Sequence, residues 1–218
     1  MKLSLRSLLY DLVFFESCPI CKKKSYWKYS PFCEDCWNSI EVFNLHQITT
    51  GNFHRDFWKF VDSLTCFGAY EGVLKDAIHC FKYGGIKRIG KELGRLLSSV
   101  KPPEIDILIP VPLHINKLRQ REFNQSAILA KECSKAWKIS LSLKILYKIK
   151  HTLDQASLEA KDRFNNVKDA YIVKESINGL KIGLIDDVTT TGATLMECAK
   201  VLKKAGAKEI HAITLARA

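Results

Sequence analysis

Residues Ile182 to Leu195 read IGLIDDVTTTGATL, and this stretch decides the fold. Ile182, Leu184 and Ile185 form an apolar run of the kind found in strands buried on both faces of a parallel sheet. Asp186 and Asp187 close the run, and a Thr/Gly-rich turn then opens a helix. That is the layout of an anion site. Small hydroxyl residues and Gly192 let successive backbone N–H groups turn toward a phosphate, and the helix N-terminus adds partial positive charge. The two carboxylates, at the strand's carboxyl end, suit a pair of sugar hydroxyls. Together they point to a ribose 5-phosphate. The plainer alternative is a routine turn with two exposed acids, for which adjacent acids before Thr-Thr-Thr-Gly are too particular a pattern.

The helix that follows carries an apolar stripe of Leu195, Cys198, Ala199, Leu202 and Ala205, with Gly206 as its stop. The whole segment resembles the phosphoribosyl pyrophosphate (PRPP) loop of type I phosphoribosyltransferases. Asp186, Asp187, Val188, Thr189, Thr190, Thr191, Gly192, Ala193 and Thr194 fill each fixed position of that loop. The resemblance implies that the two acids bind the ribose 2- and 3-hydroxyls while the loop cradles the 5-phosphate.

At 218 residues and 47% hydrophobic content the chain has room for one full α/β domain and a small extra module. The composition is that of a globular protein. Its net charge of +11 is unevenly placed, because residues 66–150 hold 16 basic and only 7 acidic side chains. A field of that sign favours phosphates, nucleic acid or an anionic membrane surface, with dispersed surface lysines as the alternative.

The second constellation is Cys18-Pro-Ile-Cys21 and Cys33-Glu-Asp-Cys36. Two C-x-x-C knuckles place four thiolates where a tetrahedral zinc ion can hold them, closing a loop too small to bury a core. Four ligands with no open position would make the metal structural. A redox C-x-x-C or chance spacing are the alternatives. Cys66, Cys80, Cys133 and Cys198 are scattered among apolar neighbours without a disulfide pattern, as expected in a reducing cytoplasm.

Between the knuckles, Lys22, Lys23, Lys24, Trp27 and Lys28 interleave cations with rings, bordered by Phe32 and Trp37. Such a mixture suits single-stranded nucleic acid, but rings also cover zinc knuckles and lysine runs are commonly solvated turns. Met1 to Phe15 reads as a short helix with Leu5, Leu8, Leu9, Leu12 and Phe15 on one face, packed on the body or on a membrane surface. Asp11 interrupts its apolar run, which is too short to span a bilayer and lacks a cleavage site, so no transmembrane or exported topology is expected.

From about Cys66 strands alternate with helices. The sequence predicts an aromatic strand near Phe67, helices over Gly72–Lys82 and from about Ile86, and a strand over Ile105–Pro110. A helix buries Leu129, Cys133, Ala136 and Trp137, Leu143, Ile145, Tyr147 and Ile149 alternate as a strand, and Glu209–Leu215 closes the chain. The expected architecture is a mostly parallel, doubly wound α/β sheet over residues 61–218, preceded by a helix and four-cysteine ribbon over 1–60.

Ile109-Pro-Val-Pro-Leu-His114 with Lys117-Leu-Arg119-Gln-Arg121-Glu122-Phe-Asn-Gln-Ser126 is similar to the pyrophosphate-side motif of the ComF family. These are competence-associated, type I phosphoribosyltransferase-like proteins with an N-terminal zinc ribbon. Thr152, Gln155, Arg163 and Asn166 match the family's T-x-x-Q and R-x-x-N pattern. Glu122 stands where the family usually has Gly, adding charge and a side chain near the phosphate loop, and Lys148 and Lys150 replace common arginines. Arg119 and Arg121 can pair bidentately with phosphate, and Leu113 and His114 sit at a strand's carboxyl end. Magnesium would arrive with PRPP, held by ligand oxygens and only indirectly by Asp186 or Asp187.

No catalytic residue is assigned. Hypoxanthine-guanine phosphoribosyltransferases carry an Asp base at the position of Thr190, whose hydroxyl cannot take a proton from a purine nitrogen near neutral pH. The resemblance implies a cytoplasmic PRPP-binding protein handling single-stranded DNA during natural transformation, in contact with DNA-translocation machinery or the inner membrane face. The alternatives are an active transferase for an unidentified base, and a zinc-ribbon scaffold with a regulatory or vestigial PRPP site.

Overall fold

A computed structural model describes residues 17–23, 32–41, 53–84, 87–100, 102–152 and 160–218. The helix expected over Met1–Phe15, together with Lys24, Trp27, Lys28 and Gln155, lies outside them.

The frame is a five-stranded sheet in the order β1-β7-β6-β2-β3, every pairing parallel. Its strands are β1 (Ser63–Ala69), β2 (Ile107–Pro110), β3 (Ser140–Leu141), β6 (Lys181–Thr189) and β7 (Glu209–Arg217). Because side chains alternate across a strand, each strand feeds two cores. Leu64, Ile109, Leu184 and Ala212 enter one of them, packed beneath α2 (Phe57–Phe60), α7 (Ala160–Val167) and α8 (Ala193–Lys204). Phe67, Leu108, Ile185 and Ile213 enter the other, covered by α3 (Gly72–Tyr83), α4 (Lys87–Ser98) and α6 (Gln125–Trp137). Helices on both faces of a parallel sheet make the molecule doubly wound, the α/β class expected.

The helices explain the close layering. On α4, Ile89, Leu93 and Leu97 are fully buried, and Gly90 and Gly94 lie where a Cβ would strike Phe81 and Ile128, or Glu132. Two glycines one turn apart therefore bring α6 against α4. Asn124 caps α6, its side chain accepting from the Ala127 N–H at 3.4 Å and donating to the Val111 carbonyl at 3.0 Å. That pair of bonds ties the start of α6 to the end of β2.

Three local readings change. Leu143 and Ile149 are exposed, and Leu146–Lys148 (β4) pairs antiparallel with Tyr171–Val173 (β5) in a separate two-stranded sheet. The buried pair is Ile145 with Leu146, so the period-two pattern there is coincidental. Ala136 is exposed while Ala130 joins Leu129 and Cys133 inside, which moves the buried stripe of α6 toward its N-terminus. Strand β6 also runs past the two acids to Thr189, since Val188 and Thr189 still pair with Ala216 and Arg217.

Before the sheet, α1 (Glu34–Asn38) follows the second knuckle, and Phe32, Cys33 and Cys36 pack into the same core as Phe67 and Phe81. The short α5 (Ile115–Arg121) completes the set. Among the described residues no helix is long and apolar enough to cross a membrane.

Candidate functional site

The carboxyl ends of β2 and β6 open on a cleft of about 220 Å³, the position where ligands bind in open α/β sheets. Its floor is the chain from Asp186 to Leu195, so every residue expected in the loop lines it. Gly192 has φ +77°, a left-handed conformation, and a Cβ there would stand 2.6 Å from Phe57 and 2.9 Å from Phe53. Glycine is required on both counts. Its carbonyl accepts from the Met196 N–H at 2.8 Å, which starts α8 directly beneath the cleft.

Asp186 and Asp187 differ in their surroundings. The Ser126 hydroxyl and the Asp187 backbone N–H both donate to Asp186 Oδ1 at 2.9 Å. Burial, and then the neighbouring Asp187 charge, push the Asp186 carboxyl up to about 7. Asp187 is paired with Lys82, the ammonium 2.9 Å from Oδ1 and both side chains largely covered. Burial pulls the Lys82 ammonium down, but Asp187 outweighs it and holds the pKa above the usual lysine value.

Five cationic side chains, Lys82, Lys117, Arg121, Lys148 and Arg163, share the cleft with those two carboxylates. Burial, followed by the charges of Arg121, Lys148 and Lys82, lowers Lys117 to about 8, and burial lowers Lys148 as well. Like charges crowded this closely make a field that favours an anion. Arg163 donates to Thr190 Oγ1 at 2.7 Å, fixing the loop from α7, and Lys148 donates to Thr152 Oγ1 at 2.7 Å. Three buried polar atoms on the lining, Gln125 Nε2, Thr189 Oγ1 and Thr191 Oγ1, have no hydrogen-bond partner among the described residues. Orphaned groups of that kind cost about 1–3 kcal/mol each unless a ligand or water meets them.

Of the pyrophosphate-side candidates, Leu113 and Arg121 line the cleft, whereas His114 and Arg119 do not. His114 caps α5, accepting from the Asn116 N–H at 3.3 Å, and its ring lies edge-on to His151 at 5.3 Å. Arg119 is exposed on α5. Glu122 is exposed too, 3.8 Å from Lys87, and does not line the cleft. It caps α5 at φ +63°. A glycine would adopt that backbone freely, so replacing it burdens the α5 cap and adds no charge to the cleft wall.

The sulfurs of Cys18, Cys21, Cys33 and Cys36 all lie within 4.8 Å of one another, a cluster that can hold one metal ion. Zn–S bonds of about 2.3 Å put tetrahedral sulfurs about 3.8 Å apart, so the group fits. Burial pushes the Cys36 thiol up, and the three neighbouring sulfurs push it further. Burial acts the same way on Cys18, but the backbone N–H groups of Cys33, Cys21 and Ile20 bring it down to about 7. Lys22 donates to the Pro19 carbonyl at 2.9 Å, Lys23 lies 3.6 Å from Asp35, and Phe32 is fully buried. The described part of the knuckle thus uses its side chains locally.

Over 214 residues the chain is 33% identical to competence protein F of Haemophilus influenzae, spanning 92% of this chain and 90% of that protein. The chain belongs to the ComF family. This is a family of competence-associated, type I phosphoribosyltransferase-like proteins. DNA utilization protein YhgH of Salmonella typhi is 29% identical over 68% of this chain and 69% of its own length. Competence protein ComFC of Bacillus subtilis is 32% identical over 68% of this chain and 61% of its own length. No protein-family profile matches the chain. Among solved structures, the glutamine PRPP amidotransferase of B. subtilis is similar at 22% identity and TM-score 0.39, over 56% of this chain and 25% of that one. At that distance the likeness says nothing about activity.

Within this ComF-family cleft, Lys82, Ser126 and Tyr171 carry contacts that sequence reasoning does not reach. Lys82 stands in the last turn of an amphipathic helix that ends at Tyr83, just before Gly84-Gly85. Ser126 lies inside the quoted motif, but its bond to Asp186 spans sixty residues of chain. Nothing local announces Tyr171, whose buried hydroxyl lies against Thr194 and Cys198 and is driven well above the usual tyrosine range by burial.

Proposed function

We propose that this chain binds PRPP together with Mg²⁺ and handles single-stranded DNA during natural transformation. The observation that carries the reading is the cleft itself: two carboxylates, three orphaned polar groups on its lining and five cations converge on one helix N-terminus. Ribose 2- and 3-hydroxyls donate to Asp186 and Asp187, and the 5-phosphate accepts from Thr191 Oγ1 and the N–H groups of the Thr190–Thr194 turn. Pyrophosphate oxygens face Lys117 and Arg121, with Leu113 beside them. Ligand oxygens would hold Mg²⁺, with Asp186 or Asp187 only indirectly, and the ion would supply neutralisation of the pyrophosphate charge; Asp187 already has Lys82 at 2.9 Å.

Zinc on Cys18, Cys21, Cys33 and Cys36 would tie the two knuckles together, in an N-terminal module that we set at residues 1–60, ahead of a ligand-binding domain at 61–218. The DNA side rests on the names of the relatives, two competence proteins and a DNA utilization protein, and on the basic excess of residues 66–150. On this reading the protein works in the cytoplasm, in contact with the DNA-translocation machinery or the inner face of the membrane. Replacing Asp186 and Asp187 by Asn in the natural host, with PRPP binding measured on the same variant, tests the reading. Both PRPP affinity and transformation efficiency should fall at least tenfold. Unchanged transformation with lost binding would make the cleft incidental to DNA uptake.

A further inference from the structure

The outer face of α4 is almost entirely cationic. Lys87, Arg88, Lys91 and Arg95 are exposed along it, while Ile89, Leu93 and Leu97 fill the opposite face. Three of them, spaced at i, i+4 and i+8, form one stripe rising about 12 Å along the helix. Glu92 lies 2.7 Å from Arg95 and Glu122 3.8 Å from Lys87. A phosphate can exchange with either.

Near the start of that stripe stands Tyr83, the last residue of α3, with 56% of its surface exposed. The Arg121 guanidinium lies over its ring at 5.0 Å, and the exposed His79 ring, one helix turn earlier, is 4.9 Å away. Tyr83 and Arg121 also line the cleft. Arg121 is joined through Glu122 and Phe123 to Lys87, whose ammonium is 5.7 Å from the Phe123 ring. Flat exposed groups therefore continue directly into the basic face of α4.

We infer that the α4 stripe and the Tyr83–Arg121 stack form a track for single-stranded nucleic acid, with phosphates on Lys87, Arg88, Lys91 and Arg95 and a base stacked on Tyr83. This rests on the DNA-handling reading above and moves the contact surface from the cysteine knuckle to the rim of the cleft. A duplex buries its bases and cannot use the tyrosine, so the occupant is a single strand. Base stacking on an aromatic ring and phosphate neutralisation by lysine are separable, because only the second depends on salt.

The test is fluorescence anisotropy of the full chain with a labelled thymidine 20-mer across a salt series, with PRPP binding measured in parallel. Wild type should bind with a steep salt dependence. The triple variant Lys87→Gln, Arg88→Gln, Lys91→Gln should bind at least tenfold more weakly and lose about 2 from the log–log salt slope, at about 0.7 per phosphate on a single strand. None of the three lines the cleft, so its PRPP affinity should stay within twofold. Tyr83→Ala should weaken binding about tenfold with the slope unchanged, and Tyr83→Trp should restore it. If wild type does not bind the 20-mer, the DNA-handling reading fails and the track with it. If wild type binds while the triple variant keeps its slope, or Tyr83→Ala binds as tightly as wild type, the track is wrong and the strand lies on another surface.

Discussion

At Asp186, stability and the proposed binding pull in opposite directions. Its carboxyl titrates near 7 in the folded protein and near 3.9 when unfolded, so the folded state holds more protons between those values. Stability from this group is fully present below about pH 4 and is lost as pH rises through about 7. Asp186→Asn should therefore raise unfolding free energy at pH 8 by about 1–3 kcal/mol, with the gain vanishing near pH 4, while PRPP binding weakens. Denaturant titrations at both pH values check the sign, and a variant less stable than wild type at pH 8 would refute it. Lys117 sets the opposite limit. Its pKa near 8 means that a bound polyanion must draw in a proton above that pH, so affinity should fall by up to tenfold per pH unit there. Lys117→Arg, permanently charged, should flatten that alkaline limb in a calorimetric pH series.

Among the elements, the C-cap of α5 sets residue against backbone, as Lys138 does at the end of α6. Glu122 occupies φ +63°, and Glu122→Gly should stabilise the protein by about 1 kcal/mol, read as a shift in denaturant midpoint at constant slope. The sequence marks this position as unusual but ascribes the effect to charge, because a backbone dihedral is invisible until the helix end is seen. Elements whose evidence is local are legible beforehand: β6 with its loop and α8 come from twenty-four consecutive residues, and the two knuckles from nineteen. What tertiary contact decides is not. Lys82 reaches Asp187 from α3, Ser126 reaches Asp186 from α6, and Arg163 reaches Thr190 from α7, each across a long sequence separation. The strand expected at Leu143 to Ile149 fails for a related reason. A short apolar alternation does not say which sheet will accept it, and here β5 does, leaving Leu143 and Ile149 outside.

For the whole molecule, the cysteine cluster is joined to the fold rather than appended to it. Phe32, Cys33 and Cys36 share a core with Phe67, Phe81 and Leu93, so metal loss should be felt in the sheet. Stripping the metal with a strong chelator should lower Tm by roughly 5 °C or more, and metal analysis of the purified chain should return one zinc per molecule. A chelator-insensitive Tm would mean that the knuckle stands without a metal. The cleft gathers groups from α3, α5, α6, β4, α7, β5, β6 and α8 into one cationic cavity, and that convergence is the central claim. Calorimetric titration of the purified chain with PRPP and Mg²⁺ at pH 7.5 tests it most directly. One saturable site per chain, weakened at least tenfold by Thr191→Val, is the expected result; the absence of binding, or binding indifferent to Thr191, would contradict it.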